Sequence, residues 1–369
     1  MRSFFPAILF IISLAVTLTA QTPTPPKADP ADDEIIKVNS RLIVVPVSVT
    51  DPSGLPVLGL KAGDFRISEE KRQQVIEGVG TADVVPLEIA LLFDVSATTS
   101  PMFKFQQETA AKFLKDVLRP NDRATIYTIG SSPNLVHPRD TVDESITALA
   151  SIQPSKGSTA FFDTVRLASQ NLRSTAPSGT RRVIVVISDG EDTNSSTIAK
   201  AIQDGYKDAG DNINTLDSKA LHNMTVKNRD KASGRERINV SKALQDADTV
   251  FYSINPAGSS YQLNKMSVYG QTNMQMFADE TGGTAFLPKF LPIDTRDGYQ
   301  NANNMRKNTE SLNKIFQQLA SELRSQYLIQ YYSESEYPAN KFVSLDVAVP
   351  TRVGTRIRAR KGYYVGKPN

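Results

Sequence analysis

The chain has 369 residues, 40% of them apolar and 22% charged, which suits a packed globular protein with about two domains and a tail. Its formal net charge is +3, with 42 Lys and Arg against 39 Asp and Glu, and no basic run is interleaved with aromatics, so no nucleic-acid partner is expected. Cysteine is absent and His137 and His222 are the only histidines; this excludes disulfides, thiolate zinc sites, a cysteine nucleophile and a histidine-rich metal centre, and leaves a Ser-His-Asp triad poorly supplied.

At the N-terminus, Arg2 precedes an almost continuous apolar run, Phe4 to Val16, and the segment closes at Thr19-Ala20-Gln21. This is the pattern of a secretory signal peptide over 1–20, cut after Ala20, with retention as an anchor as the alternative. The run is short for a membrane span and nothing later is apolar for long enough, so the mature chain is expected to have no integral span. Residues 21–35 contain Pro23, Pro25, Pro26 and Pro30 and read as an extended linker. The protein is therefore expected to be secreted, or to reside in the periplasm or cell envelope.

Residues 36–85 read as a small β unit. Leu42 to Thr50 is rich in β-branched residues and runs into the turn signal Asp51-Pro52-Ser53-Gly54. Phe65–Ile67 and Gln74–Ile76 are short strand candidates, with Glu69-Glu70-Lys71-Arg72 as an exposed hairpin tip between them. The texture then changes. Leu87 to Asp94, Ala124 to Gly130, Val183 to Asp189 and Val250 to Ile254 are nearly unbroken apolar runs, as strands buried on both faces require. Helical spacing links Phe103, Ala110, Phe113, Leu114, Val117 and Leu118, then Ala160 to Leu172, and later Leu312, Ile315, Phe316, Leu319 and Leu323. Strand and helix in alternation predict an α/β domain over 86–326, with a doubly wound, mostly parallel sheet. Polar stretches at 202–247, with a helix expected at its end, and at 288–308 read as surface insertions. Residues 327–369 return to strands: Tyr327 to Tyr332, the alternating Val343 to Val349, and Arg356 to Tyr364, which carries Arg356, Arg358, Arg360 and Lys361 like the exposed face of one strand. These C-terminal strands are expected to pair with the N-terminal β unit in an accessory β-sandwich.

The chemistry concentrates at the ends of the apolar runs. The first delivers Asp94-Val95-Ser96-Ala97-Thr98, one carboxylate and two hydroxyls on a single turn. Thr159 precedes a helix, and Ser188-Asp189-Gly190-Glu191-Asp192 closes another apolar run. In an open α/β sheet, ligands bind at the C-terminal strand ends. Asp94, Ser96, Thr98, Thr159 and Asp189 are then hard oxygen donors suited to a divalent cation, Mg²⁺ foremost with Mn²⁺ or Ca²⁺ as alternatives. Taken singly, each could equally be a cap or a turn residue. Asp192 reads first as an exposed turn residue.

In this order the five residues resemble the metal-ion-dependent adhesion site (MIDAS) of von Willebrand factor type A domains, whose pattern is Asp-x-Ser-x-Ser followed by a Thr and an Asp on separate loops. Thr98 departs from the usual Ser but keeps the hydroxyl. The resemblance covers roughly 87–325, and the strands on either side look similar to a bacterial exported group with a VWFA-related domain. It implies a binding module rather than an enzyme, in which an Asp or Glu of a protein partner completes the cation's coordination and small ligand shifts are coupled to movement of the last helix. Two other readings compete. Asp94-Val95-Ser96-Ala97-Thr98 also resembles the nucleophile loop of haloacid dehalogenase-like, Mg²⁺-dependent phosphatases, although Ser96 stands where an acidic residue is needed. A structural envelope module with a vestigial site is the third.

Overall fold

The computed structural model describes residues 41–96, 101–155, 157–255, 265–293 and 295–365. The expected signal peptide, the linker and Thr98 lie outside these residues. The chain begins with β1 (Arg41–Thr50), β2 (Arg66–Glu69), β3 (Arg72–Gln74) and β4 (Gly78–Thr81). It continues through β5 (Leu87–Asp94), α1 (Pro101–Val117), β6 (Arg123–Ile129), β7 (Pro133–Asp140), α2 (Val142–Ser151), α3 (Phe161–Thr175) and β8 (Arg181–Ile187). After these come α4 (Ser196–Ala209), α5 (Ser218–Asp246), β9 (Thr249–Ile254), α6 (Lys265–Thr281), β10 (Ala285–Phe286) and α7 (Gly298–Ser325). The chain ends in β11 (Tyr327–Ser333), β12 (Phe342–Ala348), β13 (Arg356–Ala359) and β14 (Gly362–Tyr364).

The fold is α/β, a doubly wound sheet with an accessory pair of antiparallel sheets. The six-stranded sheet has the order β10-β9-β8-β5-β6-β7 and is parallel except for β7 at its edge. The unbroken apolar runs follow from its two covered faces. In β5, Leu87, Ile89, Leu91 and Phe93 pack with α1, α2 and α7, while Ala90 and Leu92 pack on the other face with α3, α5 and α6. Both sets of side chains leave water, each large one contributing about 1.5–3 kcal/mol.

Both chain ends build the other two sheets, β13-β1-β11-β4 and β14-β12-β2-β3. Here the apolar pattern has period two, because only one face of each strand is buried. Ile43, Val45, Val47 and Val49 of β1 meet Ile67, Val343 and Leu345 from the second sheet in a shared core. The N- and C-terminal strands pair directly: β1 lies between β11 and β13, and β2 pairs with β12.

Several local expectations are corrected. Arg356–Tyr364 is not one strand: β13 pairs with β1 and β14 with β12, so the chain changes sheets at Arg360-Lys361. Arg360 turns inward, donating to the Val44 carbonyl (2.8 Å) and pairing with Asp248. The hairpin turn is Glu70-Lys71, with φ of +47° and +66°, but Glu69 is fully buried. Its carboxylate accepts from the hydroxyls of Tyr331 (2.6 Å), Ser333 (2.7 Å) and Tyr363 (3.1 Å). The helix expected at the end of the polar 202–247 stretch is α5, but it takes up most of that stretch and its second half is not a surface excursion: it buries Ala232, Val240 and Leu244. Residues 298–308 are the first turns of α7: Asn304 and Asn308 are buried because their amides bond the backbone at Pro292 and Leu291.

The last turn of α7 is fastened on several sides. Arg181, buried at the start of β8, donates to the Leu323 carbonyl (2.7 Å), one of the helix-end acceptors that lack an intrahelical partner, and also to Gln326 Oε1. Burial without a carboxylate partner pushes this guanidinium down to about 10. Gln326 Nε2 donates to Ser48 Oγ of β1 (3.1 Å) and Tyr252 Oη of β9 (3.0 Å). Arg324 reaches Asp122, whose other oxygen accepts from the Leu87 amide (2.7 Å). Gln326 is the only residue between α7 and β11, so an axial shift of the helix would pull a strand inside the sandwich. Replacing Gln326 with Leu is expected to lower unfolding stability by about 1–3 kcal/mol, since it strands buried polar groups. Urea denaturation would show this as a lower midpoint in one transition. A change below about 0.5 kcal/mol would mean that the junction does not depend on this amide.

Candidate metal centre

The order of the central sheet reverses between β5 and β8: the chain leaves β5 toward β6 and β7, then crosses back to place β8 on the other side. A crevice outside the C-terminal ends of two such strands is the usual ligand position in an open α/β sheet. Phe93 and Ile187 are paired neighbours there, so the residues that follow them, Asp94 and Ser188-Asp189, emerge side by side. The third segment arrives from the α3 side. Its backbone is tied down where Ser155 N donates to the Val95 carbonyl and Ala160 N to the Gly130 carbonyl, both at 2.7 Å.

A chain of hydrogen bonds joins the three segments. Asp94 is 6% exposed. One of its oxygens accepts from Ser96 Oγ (2.6 Å) and the Ser96 amide (2.9 Å), the other from Ser188 Oγ (2.6 Å). Ser188 Oγ in turn accepts from the Gly190 amide (2.9 Å). Asp189 accepts from the Glu191 amide (3.0 Å), and the Glu191 carbonyl accepts from Thr159 Oγ1 (2.8 Å). Thr159 is buried and its own carbonyl accepts from the amides of Thr193 and Asn194. The structure thus brings Asp94, Ser96, Thr159 and Asp189 to one place; Thr98 lies outside the described residues.

The electrostatics of this place are one-sided. Burial pushes the Asp94 carboxyl above its ordinary value, against the hydrogen bonds from Ser188 and Ser96, and the Glu191 charge adds to the rise. Burial likewise pushes Asp189 up to about 6, helped by repulsion from Asp94 and Glu191. Among the described residues no Lys, Arg or His pairs with Asp94 or Asp189. A cation between them would relieve both the burial and the repulsion, and hydroxyl and carboxylate oxygens are the donors a hard divalent ion takes. Two carboxylates with hydroxyls are a small acidic set: among the described residues no group of three or more His, Cys, Asp or Glu is placed to hold a metal. The residues present fit a cation whose coordination is shared among hydroxyls.

Several partners of this site were not singled out by sequence reasoning. Ser188 is one, visible only as the residue before Asp189. Glu191 is another: its side chain accepts from Ser267 Oγ of α6. Asp192 is not an exposed turn residue but is 8% exposed, and burial raises its carboxyl. It accepts from the Phe162 amide (2.8 Å) at the start of α3, and from the Asn194 and Ser195 amides leading into α4. Asp163 of α3 returns the arrangement by accepting from the Ser196 amide (2.8 Å) of α4. The two helix N-termini therefore cap each other across the site, satisfying amides that have no intrahelical partner. The signal in the sequence was an Asp three residues before a Ser, the spacing of a local side-chain cap.

Residues 89–191 match the sequence model of the von Willebrand factor type A domain, a span that contains Asp94, Ser96, Thr98, Thr159 and Asp189. The chain carries a von Willebrand factor type A domain. Domains of this family are often metal-dependent protein-interaction modules. No curated protein matches the chain. Among solved structures, an aerotolerance-related membrane protein from Bacteroides fragilis is similar at 15% identity and TM-score 0.31, covering 62% of this chain and 99% of that one. The PilB minor pilin from Streptococcus sanguinis is similar at 14% identity and TM-score 0.42, covering 66% and 63%. Proximal thread matrix protein 1 from the mussel byssus, in a structure with a zinc-occupied MIDAS motif, is similar at 11% identity and TM-score 0.39, covering 70% and 50%.

The loop that carries Asp189 is held from behind by α6. Gly190 has φ +74°, and a Cβ there would lie 2.7 Å from the Gly270 carbonyl oxygen; a Cβ at Gly270 would lie 2.5 Å from the Asp189 carbonyl oxygen. Both contacts are with backbone, which cannot rotate away. Gly270→Ala is expected to cost about 1–3 kcal/mol of stability through overpacking and to displace the Asp189 loop. Thermal or urea unfolding checks the first, and the amide NMR shifts of Asp189 to Glu191 check the second. Wild-type stability with unmoved shifts would contradict the close approach.

Proposed function

We propose that this protein is an exported, divalent-cation-dependent protein-binding module and not an enzyme. In this reading Asp94 and Asp189 hold the cation, with Ser96, Thr98 and Thr159 as hydroxyl donors. Mg²⁺ is the ion of choice, given oxygen-only ligands at a compact site, with Mn²⁺ or Ca²⁺ able to replace it. Bound there, the ion would supply an electrophilic position for a carboxylate oxygen of a partner protein. The chain's own residues do the rest. Ser188 and Ser96 orient the Asp94 carboxylate, the Glu191 amide orients Asp189, and the Glu191 carbonyl fixes the Thr159 side chain. The partner is expected to present an Asp or Glu. The apolar run at 1–20 supports export, and among the described residues no helix is long and apolar enough to cross a membrane.

The observation that carries this reading is the buried Asp94 beside the half-buried Asp189 at the sheet's switch point, with no Lys, Arg or His paired with either among the described residues. Calorimetric titration of metal-stripped protein is expected to show one saturable site for Mg²⁺ or Mn²⁺, lost in both Asp94→Ala and Thr159→Ala. Saturation at about 100 times the dissociation constant is expected to add about 2.7 kcal/mol of stability by mass action. Wild-type protein that binds no cation, or variants that bind as well as wild type, would contradict the proposal.

A further inference from the structure

Behind the Asp189 loop, α3, α5 and α6 enclose a cavity of about 200 Å³. Gly190 and Asp192 form part of its wall, and most of the lining comes from α5 and α6, with neither Asp94 nor Asp189 among it. We propose that it is a second binding site, for a small organic oxyanion (a carboxylate or phosphate on a flat apolar body) held by Arg237.

The first support is a glycine the fold does not need. Gly234 sits in the middle of the 29-residue α5, where glycine weakens a helix relative to alanine. A Cβ there would meet no atom within 4 Å, and the residue's φ is not in the left-handed region. Neither packing nor backbone conformation demands glycine, and the residue lines the cavity. The contrast with Gly270 on the opposite wall is direct, because there a Cβ would strike backbone.

The second support is the balance of charge on the lining. Asp192 is consumed by the amides of Phe162, Asn194 and Ser195 and the hydroxyl of Ser195. Arg229 pairs with Asp230 at 2.9 Å. Arg237, two helical turns further along α5, has no hydrogen bond or ion pair among the described residues. A half-buried guanidinium facing a cavity presents a planar fork of donors that matches a carboxylate or phosphate. Ser233 and Asn273 add polar groups to the lining, and Tyr269, 45% exposed, gives an aromatic wall for a flat body. A volume of about 200 Å³ limits the guest to a small molecule.

The test uses benzoate and phenyl phosphate as probes on the whole chain, read by saturation-transfer NMR and calorimetry. One-to-one binding of at least one probe is expected, weakened at least tenfold in Arg237→Gln and in Gly234→Leu, and unchanged within twofold in Asp94→Ala. Preference between the probes distinguishes a carboxylate from a phosphate guest. Circular dichroism and melting establish that each variant is folded, and Gly234→Ala serves as the milder filler if the leucine variant unfolds. No saturable binding of either probe, or equal affinity in wild type and both variants, would overturn the assignment. Because Asp94→Ala keeps this site, its failure and the failure of the cation reading are separate results.

Discussion

Placing one buried and one half-buried carboxylate at the ends of neighbouring parallel strands is the costly arrangement around which the rest of this structure is organised. Asp94 and Asp189 stand at the ends of β5 and β8, where the sheet changes direction; burial raises both carboxyls, and the Asp94 charge raises that of Asp189 further. Uncompensated buried charge is expensive, so the surrounding chain is committed to offsetting it. Hydroxyls of Ser96 and Ser188 point at Asp94, and amides of the 189–195 loop turn toward Asp189 and Asp192. What these dipoles do not supply is a positive charge. The cation reading follows from that deficit more than from the pattern of letters.

Rigidity around the deficit comes from close backbone approach and buried polar junctions. The Gly190–Gly270 contact leaves the Asp189 loop no room to retreat from α6, and the exchanged caps of α3 and α4 fix the Thr159 side. At the far end of the sheet, Arg181 and Gln326 join β8, β9, β1 and the end of α7. The last helix is therefore continuous with a strand of the sandwich and cannot shift alone.

Much of this was legible in the sequence, for identifiable reasons. Strands buried on both faces leave unbroken apolar runs, so β5, β6, β8 and β9 were visible; a half-buried strand leaves alternation, so β1 and β12 were too. Donor residues at the ends of apolar runs could be read because strand ends in this architecture point at the ligand crevice. What stayed hidden depended on partners distant in sequence. Edge strand β7, with its Pro, His, Arg and Asp, has no apolar period. Glu69 looked like part of a charged tip until Tyr331, Ser333 and Tyr363 arrived from the C-terminal strands to bury it. Asn304 and Asn308 read as loop because the backbone carbonyls they satisfy lie 12 and 17 residues away. Asp192 looked like a turn because its most telling bond is to Phe162, 30 residues earlier.

The central claim is that one divalent ion sits between Asp94 and Asp189. Crystals grown with Mn²⁺ and measured at the manganese absorption edge test it most directly. The account predicts a single anomalous peak at the ends of β5 and β8, with carboxylate and hydroxyl oxygens of Asp94, Ser96, Thr98, Thr159 or Asp189 about 2 Å away or bridged by one water. A peak elsewhere, or none at this position at saturating Mn²⁺, would contradict it.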